Sequence, residues 1–142
     1  MIPLTIIRLI KGKDKVNELE NKYGSLKNLK RKFEMDDENM LLYSDLEDWE
    51  YFLKHSEEEL EEGKTIFIEN LNLGKKDFEL IKFIKDNNPN SIGELANLLN
   101  KEVSEVQKKV NYLENEGLLN FKHGTKNSKI PVVNYDKIEI SI

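Results

Sequence analysis

Four polar side chains in residues 102–116 have the types and spacing that nucleic-acid contacts need: Ser104, Gln107, Lys108 and Asn111. Apolar residues recur every three or four positions in the same segment, which predicts a helix with one buried face. That inner face is predicted to consist of Val103, Val106, Val110 and Leu113. The four polar residues then lie outward, where amides can pair with adenine and lysine can reach guanine or phosphate.

The order of the predicted elements around this helix indicates the fold of the C-terminal half. Helices are predicted over residues 77–87 and 91–99, and Ser91 and Glu94 have the spacing of a capping box at the start of the second. Gly117 stands where a left-handed residue would end the third helix. Strands follow at residues 118–122, 129–133 and 135–142. Three short helices and a β-hairpin predict a C-terminal winged helix-turn-helix.

In a winged helix-turn-helix the third helix enters the major groove and the hairpin, or wing, lies along the DNA backbone. Cations near the turn and the hairpin are therefore expected to contact phosphates, and Lys109 is expected among them. No arginine follows Arg31, so lysine or His123 would have to serve at the wing. The predicted DNA-binding residues are Ser91, Lys101, Ser104, Gln107, Lys108, Asn111, Lys122, His123, Lys126 and Lys129.

The N-terminal half is predicted to be a small α/β region. Residues 3–10 favour a strand, and apolar positions from Val16 to Phe33 favour one helical face that Gly24 could interrupt. The predicted region is completed by a strand at 40–43, a helix running on to residue 62 before Gly63, a strand at 65–68 and a linker at 70–74. The fold class is thus α+β, with residues 1–70 as a dimerisation or partner-binding region and 71–142 as the winged helix-turn-helix.

The formal net charge of −5 is unevenly distributed. Residues 75–142 carry +1, whereas residues 1–74 carry −6. Residues 11–33 hold eight basic and three acidic side chains, and residues 34–62 hold 13 acidic ones against Lys54 alone. The acidic segment is interpreted either as a solvated surface that pairs with the basic one, or as a docking surface for a basic protein.

Nothing in the sequence favours an enzyme. There is no cysteine, and the two histidines, His55 and His123, lack partners at catalytic or metal-binding spacing. The glycines form no phosphate-binding loop, and the Asp36-Asp37-Glu38 run lacks the glycine-bearing loop of a calcium site. We therefore expect no catalytic residue, cofactor or metal.

No stretch approaches the 18 or so apolar residues of a membrane span. The apolar N-terminal run contains Pro3 and Arg8 and lacks the basic region and cleavage site of a signal peptide, so it is interpreted as a strand. The absence of cysteine fits a reducing compartment. We expect a cytoplasmic protein with no membrane partner.

Two motifs carry a resemblance to known families. The run IGELANLLNKEVSEVQKKVNYLENEGLLNF resembles the winged-helix core of MarR-like transcriptional regulators. The ending KIPVVNYDKIEISI resembles that of small predicted DNA-binding proteins from archaea and bacteria, some of which are labelled antitoxins; Asn134 stands where that family often has proline. The resemblance covers residues 71–142 and implies a homodimeric DNA-binding transcription regulator, with a basic toxin as the alternative partner.

Overall fold

The computed structural model describes residues 2–69 and 72–142, and the fold is of the predicted α+β class. Strands and helices alternate irregularly, and a short 3-10 turn at Thr125–Asn127 lies within the last hairpin. The elements in chain order are β1 (Ile2–Lys11), α1 (Gly12–Tyr23), α2 (Leu26–Met35), α3 (Met40–Lys54), β2 (Glu59–Ile68), α4 (Lys75–Asn87), α5 (Ile92–Leu99), α6 (Val103–Asn115), β3 (Asn120–His123), β4 (Lys129–Val132) and β5 (Lys137–Ile140).

The chain divides into two compact units. The helical unit is Leu9–Glu62, and the C-terminal unit comprises the residues up to Arg8 together with Gly63–Ile142. These bounds differ from a division at residues 70 and 71, because the first strand belongs with the end of the chain. Strand β1 pairs antiparallel with β5, in a three-stranded sheet of order β2-β1-β5. Residues 70 and 71 of the predicted linker lie outside the described part of the chain.

The pairing of β1 with β5 joins the first strand of the predicted N-terminal α/β region to the last strand of the C-terminal one. Leu4 lies opposite Ile140 and Ile6 opposite Ile138, so these isoleucines of the last strand share a sheet face with Leu4 and Ile6 of the first. Leu4 is buried in the core of the C-terminal unit. A strand finds its ladder partner by tertiary contact, which local sequence signals do not contain.

In the helical unit, the predicted interruption at Gly24 is confirmed. Gly24 has φ 86°, and the Oγ atom of Ser25 accepts the amide hydrogen of Asn28 to begin α2. Glycine adopts this left-handed region without the penalty that a Cβ brings. The turn lets α1 and α2 bury Leu19 and Leu29 in one core with Trp49 of α3.

Two predictions in this unit are wrong. The segment 40–43 is the start of α3, because the Oδ1 atom of Asn39 accepts the amide hydrogens of Leu41 and Leu42 and caps the helix. That helix ends at Lys54 and does not run on to residue 62. The glutamates from Glu59 onward begin β2, where strand pairing overrides their helix propensity.

The basic and acidic segments of the helical unit pair with each other in part, as the first interpretation of the charge blocks expects. Five lysines of residues 11–33 lie within ion-pair distance of four carboxylates of residues 34–62. The shortest pair joins Lys15 Nζ to Glu62 Oε2 at 2.7 Å. Asp45 is buried and also accepts the hydroxyl hydrogen of Tyr23 at 2.5 Å. At least four of the 13 acidic side chains of residues 34–62 are therefore paired within their own unit.

The core of the C-terminal unit holds α4, α5 and α6 together through fully buried aliphatic side chains. The predicted left-handed residue after α6 is confirmed, since Gly117 has φ 86°. Leu118 and Leu119, just beyond it, are buried and close the end of the core. None of the helices among residues 2–69 and 72–142 is long and apolar enough to cross a membrane.

The Tyr135-Asp136 pair of the C-terminal motif holds the last part of the chain to this core. The buried Tyr135 hydroxyl donates to the carbonyl oxygen of Leu118 at 2.5 Å, and the Asp136 carboxylate lies 3.0 Å from the Lys85 ammonium on α4. The Asp136 amide also donates to the Ile7 carbonyl of β1. Burial raises the pKa of Tyr135 to about 12.

Replacing Tyr135 with phenylalanine is expected to lower the free energy of unfolding by about 1–2 kcal/mol, since the buried Leu118 carbonyl loses its donor. In the wild type the unfolded chain ionises this phenol near pH 10, before the folded chain does. The Tyr135 contribution is therefore present below pH 10 and is lost as the pH rises towards about 12. Urea unfolding across this range measures both effects, with the exposed Tyr43→Phe as the control. An unfolding free energy unchanged by Tyr135→Phe at neutral pH would contradict the assignment.

Candidate nucleic-acid interface

The turn between α5 and α6 is built by local hydrogen bonds. The Ser91 Oγ atom accepts the amide hydrogen of Glu94 at 3.0 Å and caps α5 as predicted, while the Glu94 carboxylate accepts the Asn90 amide hydrogen. Asn100 takes a left-handed conformation with φ 55°, and the Lys101 amide donates to the Ala96 carbonyl. This turn fixes where α6 begins and leaves the Lys101 side chain exposed.

Helix α6 presents most of the predicted polar face to solvent. Ser104, Lys108 and Asn111 are exposed, whereas Gln107 is half-buried and its Nε2 atom donates to Asn111 Oδ1 at 2.9 Å. The opposite face buries three of the four predicted apolar residues: Val106, Val110 and Leu113. Because the apolar face of α6 packs on the core of the C-terminal unit, its opposite, polar face has a fixed orientation towards solvent.

Val103 does not belong to the buried face, and the prediction that it points inward is wrong. It is 52% exposed, because it is the first residue of α6 and stands beyond the end of the packed core. Its position in the helical period gave no sign of this, since the period describes direction around the axis and not how far the core extends along it.

A groove of about 980 Å³ runs along α4 and α6 and brings three of the predicted residues together: Lys101, Ser104 and Lys108. Three carboxylates line the same groove, Glu79, Glu102 and Glu105. Apolar lining comes from Leu80, Phe83, Leu99, Val106 and Tyr112. The charge beside the start of α6 is thus mixed, and attraction for a polyanion has to come from a few lysines.

Lys109, expected to contact phosphate, is held by α4 instead. Its ammonium lies 2.6 Å from Oδ1 of Asp77, a buried carboxylate whose other oxygen accepts the Gly74 amide hydrogen at the start of α4. Burial by itself raises the pKa of Asp77, but the Lys109 ammonium and the Gly74 amide outweigh it, so the net pKa lies below its usual value. The pair joins α4 to α6.

Strands β3 and β4 form the predicted hairpin, with His123 opposite Lys129. All four predicted residues of this hairpin are exposed: Lys122, His123, Lys126 and Lys129. Lys126 has φ 56° in the turn, and the Lys129 ammonium lies 5.3 Å from the centre of the Phe121 ring. The hairpin therefore offers three ammonium groups and one imidazole to solvent.

Sequence reasoning missed two residues of this region, Asp77 and Val103. The signal for Asp77 was its place three residues after Gly74 at a helix start, where a carboxylate can accept a free amide hydrogen. Nothing local indicated its partner on α6. Among residues 2–69 and 72–142 no group of three or more histidine or acidic side chains is arranged to hold a metal ion.

Comparison with known proteins covers this same part of the chain. Residues 72–140, just under half of the sequence, match the model of a protein family described as HVO_A0114. The C-terminal half is therefore similar to that family. No curated protein matches the chain, and no solved structure matches it.

Proposed function

We propose that this protein is a cytoplasmic winged helix-turn-helix transcription regulator of MarR-like type, which reads the major groove of DNA with α6. The proposal rests on the exposed polar face of Ser104, Lys108 and Asn111, on a helix whose opposite face is buried. The order of α4, α5, α6 and the β3–β4 hairpin is the order that this architecture requires. The resemblance of residues 71–142 to MarR-like regulators supports the same proposal.

In the proposed complex, residues of α6 contact base edges and the hairpin contacts the backbone. Gln107 and Asn111 have the amide groups that pair with adenine, and Lys108 can reach guanine or phosphate. Lys101 precedes the helix, and the hairpin cations follow it. Ser91 contributes at the start of α5, where backbone amides can approach a phosphate.

Few cations per chain argue for a homodimer. Five lysines are proposed to contact DNA in each subunit: Lys101, Lys108, Lys122, Lys126 and Lys129. Glu102 and Glu105 lie beside the first two and oppose a phosphate backbone. Two subunits on a palindromic operator would double the contacts, with half-sites about 34–36 Å apart.

A second candidate is a protein-interaction module, such as an antitoxin that neutralises a basic toxin. The observation that favours it lies at the corner between α2 and α3. Met35 and Met40 are 84% and 72% exposed there, next to the exposed carboxylates Asp36, Asp37 and Glu38. Exposed apolar side chains rimmed by charge are typical of protein-binding surfaces.

Selection from random DNA fragments, followed by binding measurements at several salt concentrations, separates the two candidates. A regulator should enrich a palindrome and bind it with a log-affinity against log-salt slope no steeper than about −4.5 per subunit, or about −9 per dimer, if all five lysines act. The triple variant Lys122→Gln, Lys126→Gln, Lys129→Gln should flatten that slope. Absence of any DNA binding at about 50 mM salt would reject the regulator and favour the protein-only candidate.

A further inference from the structure

The exposed Val103 stands at the position of α6 that enters the major groove first in the proposed complex. It is 52% exposed, and it is the first residue of the helix. Val103, Gln107 and Asn111 follow one another at intervals of four residues, so they lie along one edge of α6. An exposed isopropyl group at the head of this polar edge can gain free energy by contact with an apolar group of a ligand.

We propose that Val103 contacts the C5-methyl group of a thymine in each half-site, and so makes this protein selective for thymine at one position. This inference rests on the proposed function. The thymine methyl is the apolar group that base edges present in the major groove, and small aliphatic side chains recognise it by direct contact. Contact would remove both apolar surfaces from water.

The neighbouring amides complete the specificity of this edge. The bond from Gln107 Nε2 to Asn111 Oδ1 orients both side chains, and it leaves Gln107 with one oxygen and one N–H for a base. Gln107 lies about 6 Å from Val103 along the helix axis, since each residue rises about 1.5 Å. Base pairs are about 3.4 Å apart, so the edge predicts an adenine about two base steps from the thymine.

The test replaces each thymine of the selected operator by uracil, which deletes the methyl group and leaves every hydrogen-bonding atom of the base in place. One position per half-site should lower wild-type affinity about three- to fivefold, the value of one buried methyl-sized group. The Val103→Ala variant should lose most of the uracil effect, because the shorter alanine side chain makes less apolar contact with the methyl group. Leu98→Ala is the matched control, because Leu98 is 51% exposed on α5 and should leave the uracil effect intact.

Two results would overturn the inference while leaving DNA binding standing. One is a wild-type protein whose operator affinity is unchanged by uracil at every position. The other is a Val103→Ala variant that keeps the full uracil effect. If no operator is enriched and generic DNA is not bound at low salt, the proposed function fails first and this inference fails with it. Val103 is exposed, so the variant is expected to fold like the wild type.

Discussion

The double variant Gln107→Ala, Lys108→Ala is expected to bind the selected operator at least about 30-fold more weakly than the wild type, since each good base contact provides about 1–3 kcal/mol of discrimination. The double variant should lose more affinity than either single variant, because it removes two contacts. Removing Gln107 also deletes the hydrogen bond that orients Asn111. Specific affinity should fall far more than generic DNA affinity, which loses one cation per subunit.

The variant should keep its fold, so lost binding can be assigned to the interface. Lys108 is exposed and Gln107 only half-buried, and alanine has the highest helix propensity. We expect the free energy of unfolding to change by less than about 0.5 kcal/mol. Lys82→Ala, which removes one exposed positive charge from α4, is the control for charge alone. Equal operator binding by the double variant and the wild type would show that α6 does not read the operator.

Replacing Asp77 with alanine is expected to lower the free energy of unfolding by about 2–3 kcal/mol, through loss of the helix cap and of the ion pair. Asp77 is buried, whereas the Lys109 side chain is 44% exposed, so solvent screening reduces the contribution of the pair. Asp77→Asn keeps an oxygen that can accept the Gly74 amide hydrogen and removes only the charge. It should therefore cost less than Asp77→Ala, about 1–2 kcal/mol.

The pH dependence separates the charge from the cap. The folded-state pKa of Asp77 lies below its usual value of 3.8, so the charge contributes fully above that pH and is lost as the pH falls through the folded-state pKa. The stability difference between wild type and Asp77→Asn should accordingly shrink in acid. Denaturant unfolding from neutral pH down to about pH 2 measures it. A difference that stayed constant over this range would assign the effect to packing.

The same variants give a second test through DNA binding. Freed from Asp77, Lys109 can turn to solvent and becomes available to phosphate. Asp77→Asn should therefore bind generic DNA at least as well as the wild type, although it is less stable. Weaker generic binding by a fully folded Asp77→Asn would mean that the ion pair positions α6 for DNA.

The elements of the C-terminal unit were predictable where their signals are local. Each of three signals acts over only a few residues: the Ser91 cap, the spacing of Val106, Val110 and Leu113, and the left-handed Gly117. Such signals set helix limits through neighbouring residues, so they can be recognised without knowledge of the tertiary structure. In the helical unit, predictions failed where local propensity and strand pairing favour different structures. The glutamates at 59–62 have helical propensity, yet their backbone joins β2.

The candidate site was predictable in its polar residues and not in its limits. Every predicted DNA-binding residue whose side chain was expected outward on α6 lies at the surface or is half-buried there. The sequence could not show that Lys109 is held by Asp77, since 32 positions separate them along the chain. It also could not show that the core ends before Val103.

By itself, the sequence determined the order and periodicity of the helices, the hairpin and the two charge segments, because these depend on neighbouring residues. Only the tertiary structure decided that β1 pairs with β5 and which carboxylates of the acidic segment pair with lysines of the basic one. It also decided that α6 exposes Val103 while α4 holds Lys109. Each of these is a contact between residues distant in the chain. Its free energy depends on burial and distance, which no local pattern encodes.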